Sequence, residues 1–251
     1  MTSPALILVQ PQLVENIGMA ARAMGNCALD ELRLVTPRDP WPLSEALRQR
    51  MMAASAGADA ILEKAKVFDT LEEALDDLHF VYATTARDND MVNNIFTPKA
   101  AAPDMAARTK ENQKIGVMFG PERAGLTRDH IAQSHAKITI PLNPDFMSLN
   151  LAQCVLLIGY EWFQAQDETP DKKLRVGRSR PATNEEYRGF FSRLEKELDD
   201  SGFFVAKDMR PTVTRSLQNM LKRAEMTEQE IRTWHGVVSA LIDAPKKRQN
   251  G

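Results

Sequence analysis

The chain has 251 residues, of which 43% are hydrophobic and 26% charged, as expected for a soluble globular protein of one large domain or of one large and one small domain. Its two cysteines, Cys27 and Cys154, lie far apart and in no metal or redox spacing, which favours a reduced, cytoplasmic setting. The N-terminus does not resemble a signal peptide, and the most apolar run, around residues 154–163, is too short to span a bilayer.

The formal net charge is only −2, but the charge is unevenly distributed. Residues 170–251 contain 17 Lys and Arg against 12 Asp and Glu, whereas residues 1–169 contain 15 against 22. A basic tail behind an acidic body permits a polyanionic partner without requiring one.

Strands and helices are predicted to alternate along the first two thirds of the chain. Apolar runs of strand length lie at residues 5–9, 31–35, 80–84, 115–119 and 138–140, with a short strand inside 60–68. Helical periodicity covers residues 14–26, 43–54, 71–78, 105–111 and 128–134, and a long apolar helix follows residue 148. This alternation predicts an α/β fold with a parallel sheet, and ligands in such sheets lie beyond the C-terminal ends of the strands.

The amino-acid composition of the sequence changes after residue 166. Residues 167–183 are polar and basic, as in a linker, and amphipathic helices are predicted at residues 184–200, 211–222 and 227–242. The first of them should bury one apolar face, made of Tyr187, Phe190, Phe191, Leu194 and Leu198. We therefore predict three parts, residues 1–166, 167–183 and 184–251, the last being a small helical domain or dimerisation arm.

Three common kinds of site can be discounted. The first predicted strand is not followed by G-x-G-x-x-G, and the four histidines show no zinc-hydrolase pattern. Residues 120–127 have the two glycines of a P-loop, but Leu126 stands where the phosphate-binding lysine is needed. In the same loop, Glu122 and Arg123 could form an ordinary surface ion pair or could support a site.

Polar residues at the other strand–helix junctions could serve either a ligand or the fold alone. Ser148 stands where a helix N-cap is expected, and a helix beginning there directs free N–H groups at the preceding loop. Asn16 could be a helix cap or a ligand. Gly18 precedes Arg22 by one turn on the same face, which would leave space for Arg22 to reach a ligand, although the spacing alone is more typical of a solvated arginine.

Taken together, these junctions resemble the SPOUT class of RNA methyltransferases, in the branch that methylates the ribose 2′-OH. Three motifs of that class occur in order: N-I-G-x-x-A-R-A-M at residues 16–24, F-G-x-E-x-x-G-L at 119–126, and I-P followed by S-L-N-x-A at 140–152. The match covers about residues 5–165. The segment T-T-A-R at residues 84–87 and the helical tail are similar, more loosely, to the subgroup that modifies anticodon-loop position 32 of tRNA.

The resemblance implies a parallel sheet whose C-terminal part is threaded into a deep trefoil knot. It also implies a homodimer with each active site built across the interface, and S-adenosylmethionine as the cofactor, with no metal. The cofactor-binding residues would be Thr84, Thr85, Ala86, Gly120, Ile140, Met147, Ser148 and Leu149. Ile140 and Leu149 would offer an apolar slot for adenine.

The resemblance also implies the division of catalytic roles. Arg22 would activate the ribose hydroxyl; since an arginine stays charged, we describe it as an orienting and electrostatic residue. Ser148 and Asn150 would position Arg22 or the ribose. Asn16, Glu122 and Arg123 would support the site.

This sequence departs from the family pattern at several positions. Cys27 and Ala28 replace the usual Phe-Gly, Thr85 replaces Ser, and Met147 replaces a second Ser found in some members. The tRNA phosphates are expected to contact basic residues of the linker and tail, namely Lys172, Lys173, Arg175, Arg178, Arg180, Lys207, Arg210, Arg215, Lys222 and Arg223. Three hypotheses remain open: a tRNA 2′-O-methyltransferase, a ribosomal RNA 2′-O-methyltransferase, and a non-catalytic RNA-binding protein on the same scaffold.

Overall fold

The computed structural model describes residues 3–85, 94–170, 177–204 and 208–249. The chain divides into two compact units, Met1–Thr169 and Pro170–Gly251. Among the expected functional residues, Ala86, Lys172, Lys173, Arg175 and Lys207 lie outside the described residues. No helix in the described ranges is long and apolar enough to cross a membrane.

The first unit is built on a parallel sheet. In chain order its described strands are β1 Ala5–Val9, β2 Leu32–Val35, β3 Lys66–Phe68, β4 Phe80–Thr84, β5 Asn94–Phe96, β6 Ile115–Phe119 and β7 Ala136–Ile138. They lie side by side in the order β3-β2-β1-β6-β4-β7-β5, and each pairing is parallel. Strands β1 and β6 are buried along their whole length, because helices cover both faces of the sheet. The predicted α/β class is confirmed.

Seven described helices accompany this sheet. They are α1 Val14–Asn26, α2 Glu45–Ser55, α3 Asp59–Glu63, α4 Leu71–Leu75, α5 Pro98–Lys110, α6 Arg128–Ala132 and α7 Leu151–Gln164. Helices α1, α5 and α7 share one large core with β1, β4 and β6, and a smaller core lies on the opposite face under α4 and α6. Helix α1 packs against both α2 and α7, so it is the central support of this unit.

Gly18 serves the packing of α1 on α2. A Cβ added at Gly18 would lie 2.2 Å from the carbonyl oxygen of Met51 and 2.9 Å from the Cβ of Ala54. The expectation that Gly18 leaves room for Arg22 was therefore wrong, because the space beside Gly18 is filled by backbone of α2.

The end of α1 contains one departure from the family pattern, Cys27 and Ala28. Ala28 has φ 54°, in the left-handed region, and the N–H of Leu29 donates to the Met24 carbonyl at 3.0 Å, as in a Schellman motif. A Cβ on Gly159 of α7 would lie 3.1 Å from the Cys27 sulfur. The small Cys27 side chain thus lies in close contact with the backbone of α7.

The predicted element bounds needed several corrections. The strand predicted at residues 138–140 lies at Ala136–Ile138, because the polar but buried Lys137 concealed its start. The helix predicted at 105–111 begins at Pro98, where Thr97 caps it. Strand β5 and helix α3 were not predicted.

The second unit contains α8 Asn184–Asp200, α9 Arg210–Arg223 and α10 Glu228–Gln249. Its small core joins Phe190 of α8 to Met226, Ile231 and Val238, with Tyr187 and Leu194 packed against it. The predicted inward face of α8 is confirmed for Tyr187, Phe190, Phe191 and Leu194. Helix α9 has no fully buried residue, although Leu221 packs against this core.

Candidate functional site

A cleft of about 430 Å³ opens at the C-terminal ends of β4, β6 and β7. It is lined by Thr84, Thr85, Phe119, Gly120, Pro121, Glu122, Arg123, Ala124, Gly125, Leu126, Ile138, Ile140, Leu142, Met147, Ser148, Leu149, Leu151 and Cys154. Parallel strands that end together place their following loops at one edge, which is why three segments distant in sequence meet here. The volume is within the range of small-molecule and cofactor sites.

The cleft brings together most of the predicted cofactor and support residues. Its lining includes Thr84, Thr85, Gly120, Ile140, Met147, Ser148, Leu149, Glu122 and Arg123. Three predicted residues, Asn16, Asn150 and Arg22, are not part of the lining. Nine further lining residues were not among the predicted site residues: Phe119, Pro121, Ala124, Gly125, Leu126, Ile138, Leu142, Leu151 and Cys154. Their positions within or close to the motif segments are the sequence feature that could have identified them.

The loop after β6 folds back closely on Gly120. A Cβ on Gly120 would lie 2.2 Å from the backbone nitrogen of Leu126 and 2.3 Å from the carbonyl carbon of Gly125. Gly125 has φ 67°, and its N–H donates to the carbonyl of Pro121 at 2.9 Å. Glycine is therefore required at position 120 by the close approach of the backbone and favoured at position 125 by the backbone conformation.

Glu122 ties this loop to the start of α1. Its carboxylate accepts hydrogen bonds from the backbone N–H groups of Gln12 (2.9 Å) and Leu13 (3.3 Å) and from the Asn16 side chain (2.7 Å). A carboxylate at a helix N-terminus satisfies N–H groups that lack partners and is favoured by the helix dipole. The interpretation of Glu122 and Arg123 as an ordinary surface pair was therefore wrong for Glu122, which is held by α1.

Asn150 extends this contact to a third segment. Its side-chain nitrogen donates to Oδ1 of Asn16 at 3.3 Å, and its Oδ1 accepts from the Ala152 N–H at 2.8 Å. The buried Asn16 is thus bonded on one side to Glu122 and on the other to Asn150, which joins three motif segments in one chain of hydrogen bonds.

The N-cap of α7 is Asn150, so the assignment of that role to Ser148 was wrong. Asn150 forms a capping box with Gln153, whose side chain accepts the Asn150 N–H at 3.2 Å. The residue three positions after Ser148 is Leu151, which has no group to complete such a box. Ser148 therefore lies ahead of the helix, with its side chain on the cleft wall.

The floor of the cleft includes Thr84 and Cys154. The Thr84 hydroxyl donates to the Met118 carbonyl at 2.8 Å, and the Thr85 N–H donates to the Ile138 carbonyl at 3.0 Å, which ties the end of β4 to its neighbours. Burial raises the pKa of the Cys154 thiol to about 12. The thiol therefore stays protonated and is a poor nucleophile, although it lines the cleft.

Arg22 lies on α1 with its side chain exposed. It is six residues beyond Asn16, or about 9 Å along the helix axis, and is not among the cleft-lining residues. In residues 3–85, 94–170, 177–204 and 208–249, no group of three His, Cys, Asp or Glu side chains could hold a metal ion.

The chain is similar to known proteins over nearly its whole length. It is 31% identical over 249 residues, 98% of this chain and 94% of the relative, to the tRNA (cytidine/uridine-2′-O-)-methyltransferase TrmJ of Yersinia pestis (strain Pestoides F). Over 243 residues, 93% of this chain and 91% of the relative, it is 32% identical to the tRNA (cytidine/uridine/adenosine-2′-O-)-methyltransferase TrmJ of Pseudomonas aeruginosa (strain UCBPP-PA14).

A solved structure and a family model agree with these relatives. The crystal structure of TrmJ from Z. mobilis ZM4 has a TM-score of 0.79 and 43% identity, covering 96% of this chain and 99% of that one. The model of the SpoU rRNA Methylase family matches residues 3–160, the part of the chain that forms the sheet and the cleft. The resemblance inferred from the three motifs is confirmed, and the chain belongs to the SpoU rRNA Methylase family.

Proposed function

We propose that this protein transfers a methyl group from S-adenosylmethionine to the ribose 2′-OH of a tRNA nucleotide. The observation that carries the proposal is the cleft at the ends of β4, β6 and β7, which is lined by residues of the second and third family motifs. Asn16 of the first motif is hydrogen-bonded to Glu122 of this lining. The relatives of similar length whose names state this activity support it. We propose cytidine or uridine at anticodon-loop position 32 as the target, in the cytoplasm.

The cleft residues fit the proposed cofactor. Ile138, Ile140 and Leu149 give one part of the wall an apolar character that suits adenine, and the loop at Gly120 offers backbone groups at close range. Thr84 and Ser148 add hydroxyl groups for the polar parts of the ligand. When bound, S-adenosylmethionine supplies an electrophilic methyl group on a sulfonium.

The protein's own task is to align the ribose hydroxyl with the S–CH₃ bond, while the hydroxyl proton passes to an RNA phosphate or to water as the O–CH₃ bond forms and the S–CH₃ bond breaks. We assign the alignment to Arg22, whose charged fork can hold a phosphate or the hydroxyl oxygen. Ser148 stands on the cleft wall, where it can position the ribose. The hydrogen bonds that join Asn150 to Asn16 and Asn16 to Glu122 connect the segment that follows Ser148 to the loop after β6.

We further propose that the protein is a homodimer and that Arg22 serves the cleft of the partner. Helix α7 buries one face and exposes four large apolar side chains on the other, Leu156, Leu157, Tyr160 and Phe163, at helical spacing. Such a stripe on a single helix is typical of an interface. Met19, one turn before Arg22 on α1, is a further exposed apolar residue. We also propose that the chain forms the deep trefoil knot that the resemblance implies.

Replacing Leu156 and Tyr160 with aspartate tests the dimer. Both side chains are exposed in the single chain, so we expect the folded protomer to keep its circular dichroism spectrum and melting temperature within a few degrees. Charges placed in an apolar interface should weaken association about 100-fold or more. Light scattering over a dilution series measures this, with methyl transfer followed in parallel.

The matched control for this variant is Ile95→Asp, an exposed apolar residue on β5 that lies outside the α7 face. It should leave the association unchanged. A dimer of undiminished affinity in the α7 variant would exclude this face as the interface.

We propose that the tail, residues 184–251, binds the tRNA backbone through α9, with residues 1–166 as the catalytic domain and 167–183 as the linker. Arg215, Lys222 and Arg223 are exposed on α9 and form no ion pair among the described residues. Arg180 and Arg210 suit this role less well, because Arg180 forms a two-pronged pair with Glu186, and Arg210 pairs with Glu195 and Asp199. Arg178 remains a candidate.

Methyl transfer to RNA from a strain that lacks the gene tests the proposed function. Purified protein and methyl-labelled S-adenosylmethionine should label tRNA at one 2′-OH, mapped by nuclease digestion and mass spectrometry. Labelling of ribosomal RNA in place of tRNA would support the ribosomal alternative. Failure to bind S-adenosylmethionine in calorimetry at high micromolar ligand would contradict the enzymatic proposal and favour a non-catalytic RNA-binding protein.

A further inference from the structure

An exposed aromatic side chain lies in a loop that contributes to the cleft wall. Phe146 is 70% exposed, the highest value of any large hydrophobic side chain among the described residues. It belongs to the loop of residues 141–149, whose later residues line the cleft. A phenyl ring left in water beside a ligand site is a candidate contact for whatever approaches that site.

The loop holds Phe146 in place by a tight turn. The Phe146 N–H donates to the carbonyl of Asn143 at 2.9 Å, and the Asp145 N–H donates to the Asn143 side chain at 3.1 Å. Pro144 occupies the second position of this turn, where its fixed φ is favoured, and asparagine is favoured at the first. Because the sequence of the turn favours its conformation, the backbone at Phe146 should lose little further conformational entropy when Phe146 binds a ligand.

The position of Phe146 separates it from the cofactor wall. Leu142 before it and Met147 and Ser148 after it line the cleft, whereas Phe146 does not. Phe146 is therefore adjacent in sequence to the cleft wall but is not part of the lining assigned to the cofactor. We therefore expect the phenyl ring of Phe146 to contact the second substrate, the RNA.

We propose that Phe146 stacks on a nucleobase of the RNA, at or next to the nucleotide that is methylated. This inference rests on the proposed function. Single-stranded loops of RNA are bound chiefly by aromatic side chains that stack on unstacked bases. Stacking is tolerant of base identity, because every base has a π-face. That tolerance agrees with the names of the relatives, which state two or three different nucleosides as targets.

The variants Phe146→Ala, Phe146→Leu and Phe146→Trp test the stacking. Loss of one stacked base should lower kcat/KM for tRNA by about tenfold to 100-fold, mainly through a higher KM. Phe146→Trp should restore activity, whereas Phe146→Leu, which keeps the bulk but loses the ring, should remain defective. Initial rates are measured with unfractionated tRNA from a strain lacking the gene, at saturating S-adenosylmethionine.

Two further measurements distinguish stacking from other roles. Calorimetry should give the same affinity for S-adenosylmethionine in wild type and all three variants, and light scattering should give the same oligomeric state. Ile95→Ala, which removes another exposed apolar side chain that is not part of the cleft lining, should leave the KM for tRNA unchanged. Wild-type protein that binds no S-adenosylmethionine would contradict the proposed function itself.

The stacking proposal is overturned by any one of four results. They are an unchanged KM in Phe146→Ala, full activity in Phe146→Leu, a dimer lost through Phe146→Ala, or loss of cofactor binding in that variant. The last two would make Phe146 part of the interface between copies or of the cofactor site.

Discussion

Arg22→Ala should abolish most methyl transfer and leave the protein folded and able to bind S-adenosylmethionine. Removing one preorganised charged group from a reacting centre lowers kcat by about 10²- to 10³-fold. The side chain is exposed and does not line the cleft of its own chain, so the free energy of unfolding should change by no more than about 0.5 kcal/mol. Single-turnover rates, calorimetry with the cofactor and thermal melts measure the three quantities separately.

Two variants refine the role of Arg22. Arg22→Lys keeps the positive charge but loses the planar fork, so we expect partial activity between wild type and alanine. Arg48→Ala removes another exposed arginine, on α2, and serves as the matched control with unchanged kcat. Loss of cofactor binding in Arg22→Ala, or full activity, would contradict the assigned role.

A mixed dimer decides whether Arg22 acts on its own cleft or on that of its partner. One protomer carries Arg22→Ala, and the other carries Gly120→Ala, which damages the cleft. If Arg22 acts across the interface, the intact cleft of the first protomer receives the intact Arg22 of the second, and the mixed dimer regains about half of wild-type activity. If Arg22 acts within its own chain, neither cleft is complete, and the mixed dimer stays inactive at S-adenosylmethionine concentrations well below the Kd of the Gly120→Ala cleft.

The elements that the sequence predicted well are those whose burial leaves a pattern. Strands β1, β4 and β6 are apolar along their length because the sheet is covered on both faces. Strand β5 escaped prediction because it is short and partly exposed at the edge of the sheet. The start of β7 was missed because the buried Lys137 interrupts its apolar run.

The contacts within the site could not be predicted from spacing. Asn16 and Glu122 are 106 residues apart and Asn16 and Asn150 are 134 apart, so no local pattern relates them. The motifs indicated which residues belong to the site, and the sheet order brought them together. The capping of α7 shows the limit of local reasoning: Ser148 and Asn150 are both good N-cap residues, and Gln153 decided between them.

Gly120→Ala should strongly weaken the binding of S-adenosylmethionine without unfolding the protein. The added Cβ would lie 2.2 Å from the nitrogen of Leu126 and 2.3 Å from the carbonyl carbon of Gly125, so backbone must move. The displaced loop forms one wall of the cleft, and overpacking of this kind should lower affinity by about 10- to 100-fold. Calorimetry with S-adenosylmethionine measures the loss.

Gly125→Ala is the control in the same loop, because a Cβ there meets no atom within 4 Å. Its left-handed φ of 67° makes the substitution cost about 1–2 kcal/mol of stability, but it pushes no backbone into the cleft. We therefore expect Gly125→Ala to lower the melting temperature with only a small loss of cofactor affinity, and Gly120→Ala to lose affinity far more. Equal affinities in the two variants would mean that the close approach at Gly120 serves the fold and that the cofactor site does not depend on this wall.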